Sequence, residues 1–210
     1  MIFETIITTQ SIAGHSHIAP MGIREESGVV ILAPFRPSTT LDNVIASGVA
    51  VQNFCDDVRV FAGCISGVKR DWPTVAATTL AAIRLRDCLG HSELKLERID
   101  EDSQRPRLYC KRVRDETHGA FRGFNRAQAA VIEGAVLISR LDMLPREKID
   151  SEWRYVSIAI EKTDGPIEPA AEPAVKPRVE WRQSAALGLP ESGRLVDGVR
   201  LPAEGRTYFT

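Results

Sequence analysis

The sequence contains no G-x-S-x-G, no phosphate-binding G-x-x-x-x-G-K-S/T loop and no G-x-G-x-x-G. The local signatures of a serine hydrolase, a P-loop NTPase and a Rossmann dehydrogenase are therefore missing. Of its four cysteines, Cys55, Cys64, Cys88 and Cys110, none forms a C-x-x-C pair. A zinc knuckle and a thioredoxin motif are thereby disfavoured. A chain of 210 residues has room for a core without a disulfide framework, so the thiols are expected to be reduced and mostly buried. Charge of one sign is missing as well. The formal net charge of -1 gives no electrostatic case for a nucleic-acid partner, and no Lys/Arg stripe suggests a membrane surface. No apolar run approaches bilayer length. Met1-Ile2-Phe3-Glu4 lacks the basic-then-apolar pattern of a signal peptide. These absences predict a cytoplasmic protein with neither nucleic-acid nor membrane partners.

What is present is enough apolar sequence for a core: 43% hydrophobic and 26% charged residues, near the globular average. Strand patterns dominate the first half. Phe3–Thr9 leads through a Ser11–Gly14 turn into a returning strand at His17–Gly22, a predicted hairpin. Val29–Ala33 is a continuous apolar run, as in a strand buried on both faces, ended by Pro34 and Pro37. A short helix is predicted next. Thr39 and Asp42 have capping-box spacing, Leu41, Val44 and Ile45 share a face, and Gly48 suits the C-terminal cap. Val49–Phe54 and Val58–Ile65 are predicted strands, separated by an Asp56-Asp57 turn. Trp72 to about Leu89 is predicted helical. Glu93–Ile99 and Arg107–Val113 are predicted antiparallel partners, with Leu94 and Leu96 on one face against Glu93, Lys95 and Glu97.

The later sequence changes character. Asn125–Leu144 carries a small-residue helical stripe of Ala127, Val131, Ala135 and Ile138, and Lys148–Lys162 reads as a second helix. The short link at Pro145 favours an antiparallel pair. From Gly165 the chain is rich in Pro, Glu, Ala and Gly, which predicts an extended or partly disordered tail on which Trp181, Tyr208 and Phe209 are candidate anchors. The expected divisions are residues 1–115, 116–164 and 165–210.

Several segments carry possible chemistry, each beside a plainer explanation. Arg36-Pro37-Ser38-Thr39-Thr40 places a guanidinium and hydroxyls at a helix N-terminus, as an anion site requires; an ordinary helix cap explains the same residues. Met21-Gly22 offers a strand end that a flat ring can approach, or simply a strand leaving its sheet. Asn53 offers donor and acceptor and Phe54 an aromatic face, or both belong to an ordinary strand. Arg122, Asn125 and Arg126 precede the small-residue helix as an anion partner or as a solvated helix start. Glu133, mid-helix, is read as half of a structural ion pair. His15 and His17 share a strand face, but no third ligand is marked by spacing, and no metal is assigned.

Taken in order, Glu4–Thr9, His17–Gly22, Pro34–Thr40 with Asn43, Asn53–Phe61 and Gly123–Glu133 resemble the domain-of-unknown-function family 447 over roughly residues 1–160. Members of that family look like flavin reductases. The resemblance implies a mainly β fold with added helices: a flavin mononucleotide (FMN) binding split β-barrel, then a C-terminal helical pair and the Pro-rich tail. It implies a homodimer with FMN at or near the dimer interface. Carried over by position, Arg36, Ser38, Thr39 and Thr40 hold the phosphate. Met21 and Gly22 approach the ring through their backbone, Asn53 and Phe54 contact its edge or face, and Arg122, Asn125 and Arg126 complete the site. The implied activity is a flavin-dependent oxidoreductase using a nicotinamide or pterin redox partner, with a link to tetrahydromethanopterin-based one-carbon metabolism. The alternative is a non-catalytic flavin or pterin binding or assembly protein.

Overall fold

Strand β1 (Ile2–Gln10) is buried on both faces from Thr5 to Thr8, and this sets the architecture. Ile7 points into one apolar cluster with Ile23, Val30, Leu32, Leu94 and Leu108. Ile6 points the other way, into a second cluster with Ile18, Phe61 and Leu85. Alternation along one strand thus feeds two cores: the interior of a barrel, and a layer packed on its outside.

The structure, a computed structural model, describes residues 1–163; the predicted tail, with Trp181, Tyr208 and Phe209, lies outside them. Six antiparallel strands close a barrel in the order β1, β2 (Ser16–Glu26), β3 (Val29–Leu32), β8 (Arg107–Thr117), β7 (Gly90–Asp100) and β4 (Val49–Phe54). Closure leaves no free edge in this sheet. Helix α1 (Thr39–Ser47) packs on β1, β2 and β4. Helix α2 (Val58–Ser66) and a two-stranded sheet of β5 (Thr74–Ala76) and β6 (Ile83–Leu85) cover the outer layer. Helices α3 (Arg126–Ile138) and α4 (Arg146–Thr163) pack on each other, and α3 also on α2. Asn125 at the start of α3 donates to the Thr163 carbonyl at the end of α4 (3.1 Å), so the pair is antiparallel, as expected. The stripe residues Ala127, Val131, Ala135 and Ile138 are all buried.

Two expected elements differ. Val58–Ile65 is a helix, not a strand. Asp57 caps it by accepting from the Arg59 amide (3.0 Å), and Val58, Phe61 and Ala62 recur at helical spacing on the buried side. The same short apolar run satisfies a period of two, and burial of Phe61, about 2–3 kcal/mol, decides between them. The Trp72–Leu89 stretch is the β5–β6 hairpin, not a helix. Its amides and carbonyls bond to distant side chains. Leu85 N donates to Asn53 Oδ1 (2.8 Å), and Thr8 Oγ1 donates to the Ile83 carbonyl (2.6 Å). Smaller corrections follow from packing. Ser38, not Thr39, caps α1 by accepting from Leu41 N (3.3 Å). Ile45 lies on the exposed side of α1. Glu93, expected on a polar face, is fully buried.

Gly90 begins β7 where the barrel leaves no space. A Cβ there lies 2.7 Å from the Glu116 carbonyl oxygen and 3.3 Å from the Phe54 ring. Gly90→Ala is expected to lower the unfolding free energy by about 1–3 kcal/mol through overpacking, read as a lower urea midpoint at unchanged slope.

Candidate functional site

Helix α1 is placed by its own sequence and by one buried tie. Ser38 caps its start, and Gly48 ends it in the left-handed conformation at φ 72°. Asn43, on its buried side, donates to Thr9 Oγ1 (3.0 Å) and pins the helix to β1. The loop before the helix is tied to the β7–β8 turn: Arg36 N donates to the Gln104 carbonyl (2.8 Å), and its guanidinium meets Glu101 Oε2 (2.6 Å) and the Asp102 carbonyl (3.3 Å). Arg36 is therefore an exposed guanidinium beside the first turn of a capped helix, the donor set an anion needs. Thr39 is half-buried there, whereas Thr40 turns its side chain inward.

The other predicted contacts fall into two groups. Met21 and Gly22 on β2 pair with Thr5 and Glu4 of β1, and Asn53 on β4 pairs with Ile6 of β1. These three residues thus lie on the two strands that flank β1 in one sheet. Gly22 faces the Ile2 and Glu4 side chains, 3.0 and 3.1 Å from where a Cβ would sit. Asn53 is fully buried, and its amide is engaged by the protein itself. Nδ2 donates toward the Ile6 carbonyl (3.0 Å), Thr8 Oγ1 (3.1 Å) and the Val51 carbonyl (3.2 Å), while Oδ1 accepts from Leu85 N. Phe54, next in the strand, is 39% exposed and presents a ring to the surface. Arg122, Asn125 and Arg126 form the second group. Asn125 caps α3 by accepting from Ala127 N (2.7 Å) and Gln128 N (3.2 Å), and both arginines are exposed. Helix α3 packs on α2 and α4, and Gln128 near its start donates to the Asp56 carbonyl (3.3 Å), two residues beyond Phe54, so the second group begins close to the end of β4.

A cavity of about 390 Å³ lies elsewhere, between α2 and the β5–β6 layer, lined by Asp57, Arg59, Gly63, Lys69, Trp72 and Asp87 among others. Burial pushes the Cys55 and Cys110 thiols up to about 12 and the Cys64 thiol to about 11, which makes them poor nucleophiles. All four cysteines are free.

Glu133 is exposed and belongs to no ion pair among those of the described residues. Its charge, after burial, raises the Glu4 carboxyl above the usual range, with Arg140 opposing. His17 pairs with Thr9 at the start of β2. Burial first, and then the Arg70 charge, hold its imidazole below the usual range, and its Nε2 has no hydrogen-bond partner. The polar cluster that sequence reasoning missed lies on β7 and β8. Glu93 accepts from Thr78, Thr79 and Leu80 N–H groups (2.5–3.0 Å), and His91 Nδ1 meets His118 Nε2 at 2.9 Å. Only the strand register brings those two histidines together, so no local spacing marks them.

Comparison with protein-family models gives two consecutive matches, a protein of unknown function (DUF447) N-terminal domain over residues 3–119 and a second DUF447 domain over residues 125–175. No curated protein matches. Among solved structures, an FMN-bound protein from Methanosarcina mazei, itself assigned to DUF447, superposes with a TM-score of 0.72 at 18% identity, covering 84% of this chain and 94% of that one. An FMN-binding protein from Thermus thermophilus with bound p-hydroxybenzaldehyde gives 0.50 at 10% identity, covering 58% and 74%. A flavin reductase-type split-barrel protein from Shewanella frigidimarina gives 0.49 at 11%, covering 55% and 66%. The architecture is that of the split barrel.

Proposed function

Since this chain belongs to the DUF447 family, we propose that it binds FMN and serves as a flavin-dependent oxidoreductase of the flavin reductase type. The observation that carries this is the match, along nearly the whole described chain, to an FMN-bound member of the same family. The chain's own residues fit the phosphate end of the cofactor. Arg36 is exposed beside the first turn of α1, and Ser38 and Thr39 sit at that turn. Its ion pair with Glu101 is at the surface, where such pairs contribute little, so a doubly charged phosphate competes well for the guanidinium. Phe54 offers the exposed ring, and Met21 and Gly22 the strand backbone. Asn53 acts beneath them by holding β1, β4 and β6 in place. Arg122 and Arg126, exposed around the start of α3, are assigned to completing the FMN site, which the proposed homodimer holds at or near its interface.

Bound FMN supplies the hydride and electron transfer. The protein binds and orients it, which accords with the absence of a marked acid–base pair in the sequence. A nicotinamide or a reduced pterin is the proposed donor, the latter through tetrahydromethanopterin-linked one-carbon metabolism. Anaerobic mixing of the holoprotein with NADH, NADPH or a reduced pterin is expected to bleach the flavin band with one of the three. Flavin that stays oxidised with all three would assign the chain to cofactor carriage or assembly instead. Arg36→Ala is expected to weaken FMN binding by about 1.5–3 kcal/mol, measured by fluorescence titration; unchanged affinity removes Arg36 from the site.

A further inference from the structure

We propose that His91, Glu116 and His118 form a binding site for one divalent first-row transition-metal ion, of the zinc class, on the outer side of β7 and β8. It rests on residues separate from those assigned to FMN and does not depend on the flavin reading.

The register builds the site. His91 stands directly opposite Glu116 in the β7–β8 pair, and His118, two residues past Glu116, is turned back alongside β7 by a hydrogen bond from its amide to the Leu89 carbonyl (2.7 Å). One ligand atom from each residue falls within 4.8 Å of the others. Two imidazoles and one carboxylate suit zinc, nickel, cobalt or iron(II) and not magnesium or calcium, which take oxygen ligands.

Burial supplies a second, independent observation. His91 is fully buried, and its Nε2 has no hydrogen-bond partner. The nearest charge to that nitrogen is the Glu93 carboxylate, with Oε1 at 3.6 Å. Glu93 is itself clamped by the amides of Thr78, Thr79 and Leu80. A fixed carboxylate there favours the tautomer with hydrogen on Nε2, which leaves the Nδ1 lone pair as an acceptor aimed at His118. A carboxylate behind a liganding imidazole is the usual outer shell of a bound metal.

His91 Nδ1 and His118 Nε2 lie 2.9 Å apart, with the ring planes at 11° and the centroids 5.1 Å apart. The centroid distance is nearly the nitrogen separation plus two ring radii, so the rings meet head-on and share one hydrogen. An ion replaces that hydrogen. His118 moves its proton from Nε2 to Nδ1, each ring keeps one N–H, and no proton is released. Two nitrogens that each bond a tetrahedral metal at about 2.1 Å lie roughly 3.4 Å apart, so the 2.9 Å pair must open by about half an ångström. Insertion therefore calls for His118, which is exposed just past β8, to rotate and swing outward while the buried His91 stays in place. Two cations must be accommodated, Arg114 on Glu116 Oε1 (2.5 Å) and Arg84 near His118. The carboxylates of Glu93 and Glu116 oppose them.

The plainer alternative is a histidine pair that only clasps the end of β8, and zinc separates the two. Untagged, FMN-loaded protein is dialysed against a chelator and titrated calorimetrically with zinc chloride, then with magnesium chloride. The expected result is one zinc per chain with a micromolar or tighter Kd and no magnesium binding. His118→Ala and Glu116→Gln should each weaken zinc at least tenfold while FMN content and thermal unfolding stay near wild type. The His15→Ala, His17→Ala double variant should bind zinc as wild type does. No zinc binding by the wild-type protein, or equal binding by both the His118 and Glu116 variants, overturns the proposal. So does loss of binding in the His15/His17 variant alone.

Discussion

Glu93→Gln is expected to lower the unfolding free energy by about 2–4 kcal/mol. The carboxylate is fully buried on the outer side of the barrel. Its Oε1 accepts from Thr78 N (2.8 Å) and Thr79 N (2.9 Å), and its Oε2 from Thr79 N (3.0 Å) and Leu80 N (2.5 Å). Every partner is a donor. An amide in its place must turn an NH2 group toward backbone N–H groups, which leaves donors facing donors at a fully buried position. The hairpin link between β5 and β6 then loses its anchor.

Acid probes the same carboxylate. Burial alone would raise its pKa, but the amides of Leu80, Thr79 and Thr78, with His91, outweigh burial and hold it below the usual range. A carboxyl depressed in the folded state stabilises the protein fully above its unfolded value. That contribution is lost as pH falls through the folded one. Denaturant unfolding at several pH values should therefore show the wild type losing its advantage over Glu93→Gln as the solution becomes acidic. A constant difference across the whole range would contradict the clamp.

Asn53→Ala is expected to cost a similar amount, about 2–4 kcal/mol, and to change FMN affinity by less than about threefold once the folded fraction is allowed for. One amide serves three elements. It donates toward carbonyls and a hydroxyl on β1 and β4, and accepts from Leu85 N on β6. Truncation orphans a buried N–H of β6 and removes the tie between barrel and outer layer. Thermal unfolding and FMN titration of the same preparation separate the two roles. An affinity loss above tenfold at wild-type stability would make Asn53 a direct contact of the flavin ring.

These two residues also show where sequence reasoning stops. The caps of α1 are local, Ser38 and Gly48 bracketing nine helical residues, so that helix was legible within one residue of its start. The β1–β2 hairpin and the β7–β8 partnership were legible from alternation and turn residues. The order of matching segments identified the family, and with it the barrel. Val58–Ile65 was misread because six apolar side chains in eight residues satisfy two periods, and only packing against the barrel chooses. Trp72–Leu89 was misread because the acceptor of its amides, Glu93, stands 13 to 15 residues further along. Glu93 looked like a solvent-facing charge for the same reason: its partners lie in a loop whose fold could not be foreseen. His91 and His118, 27 residues apart, meet only through register. The phosphate-end residues are assigned by resemblance alone, since a guanidinium and hydroxyls at a helix start look the same whether they hold an anion or cap a helix.

The most direct test of the account is the visible absorption spectrum of the purified protein, with mass spectrometry of whatever it releases on denaturation. The account predicts a flavin spectrum and FMN at one per chain, or colourless protein that takes up one FMN per chain when the cofactor is added. Protein that is colourless as purified and binds no added FMN would contradict it.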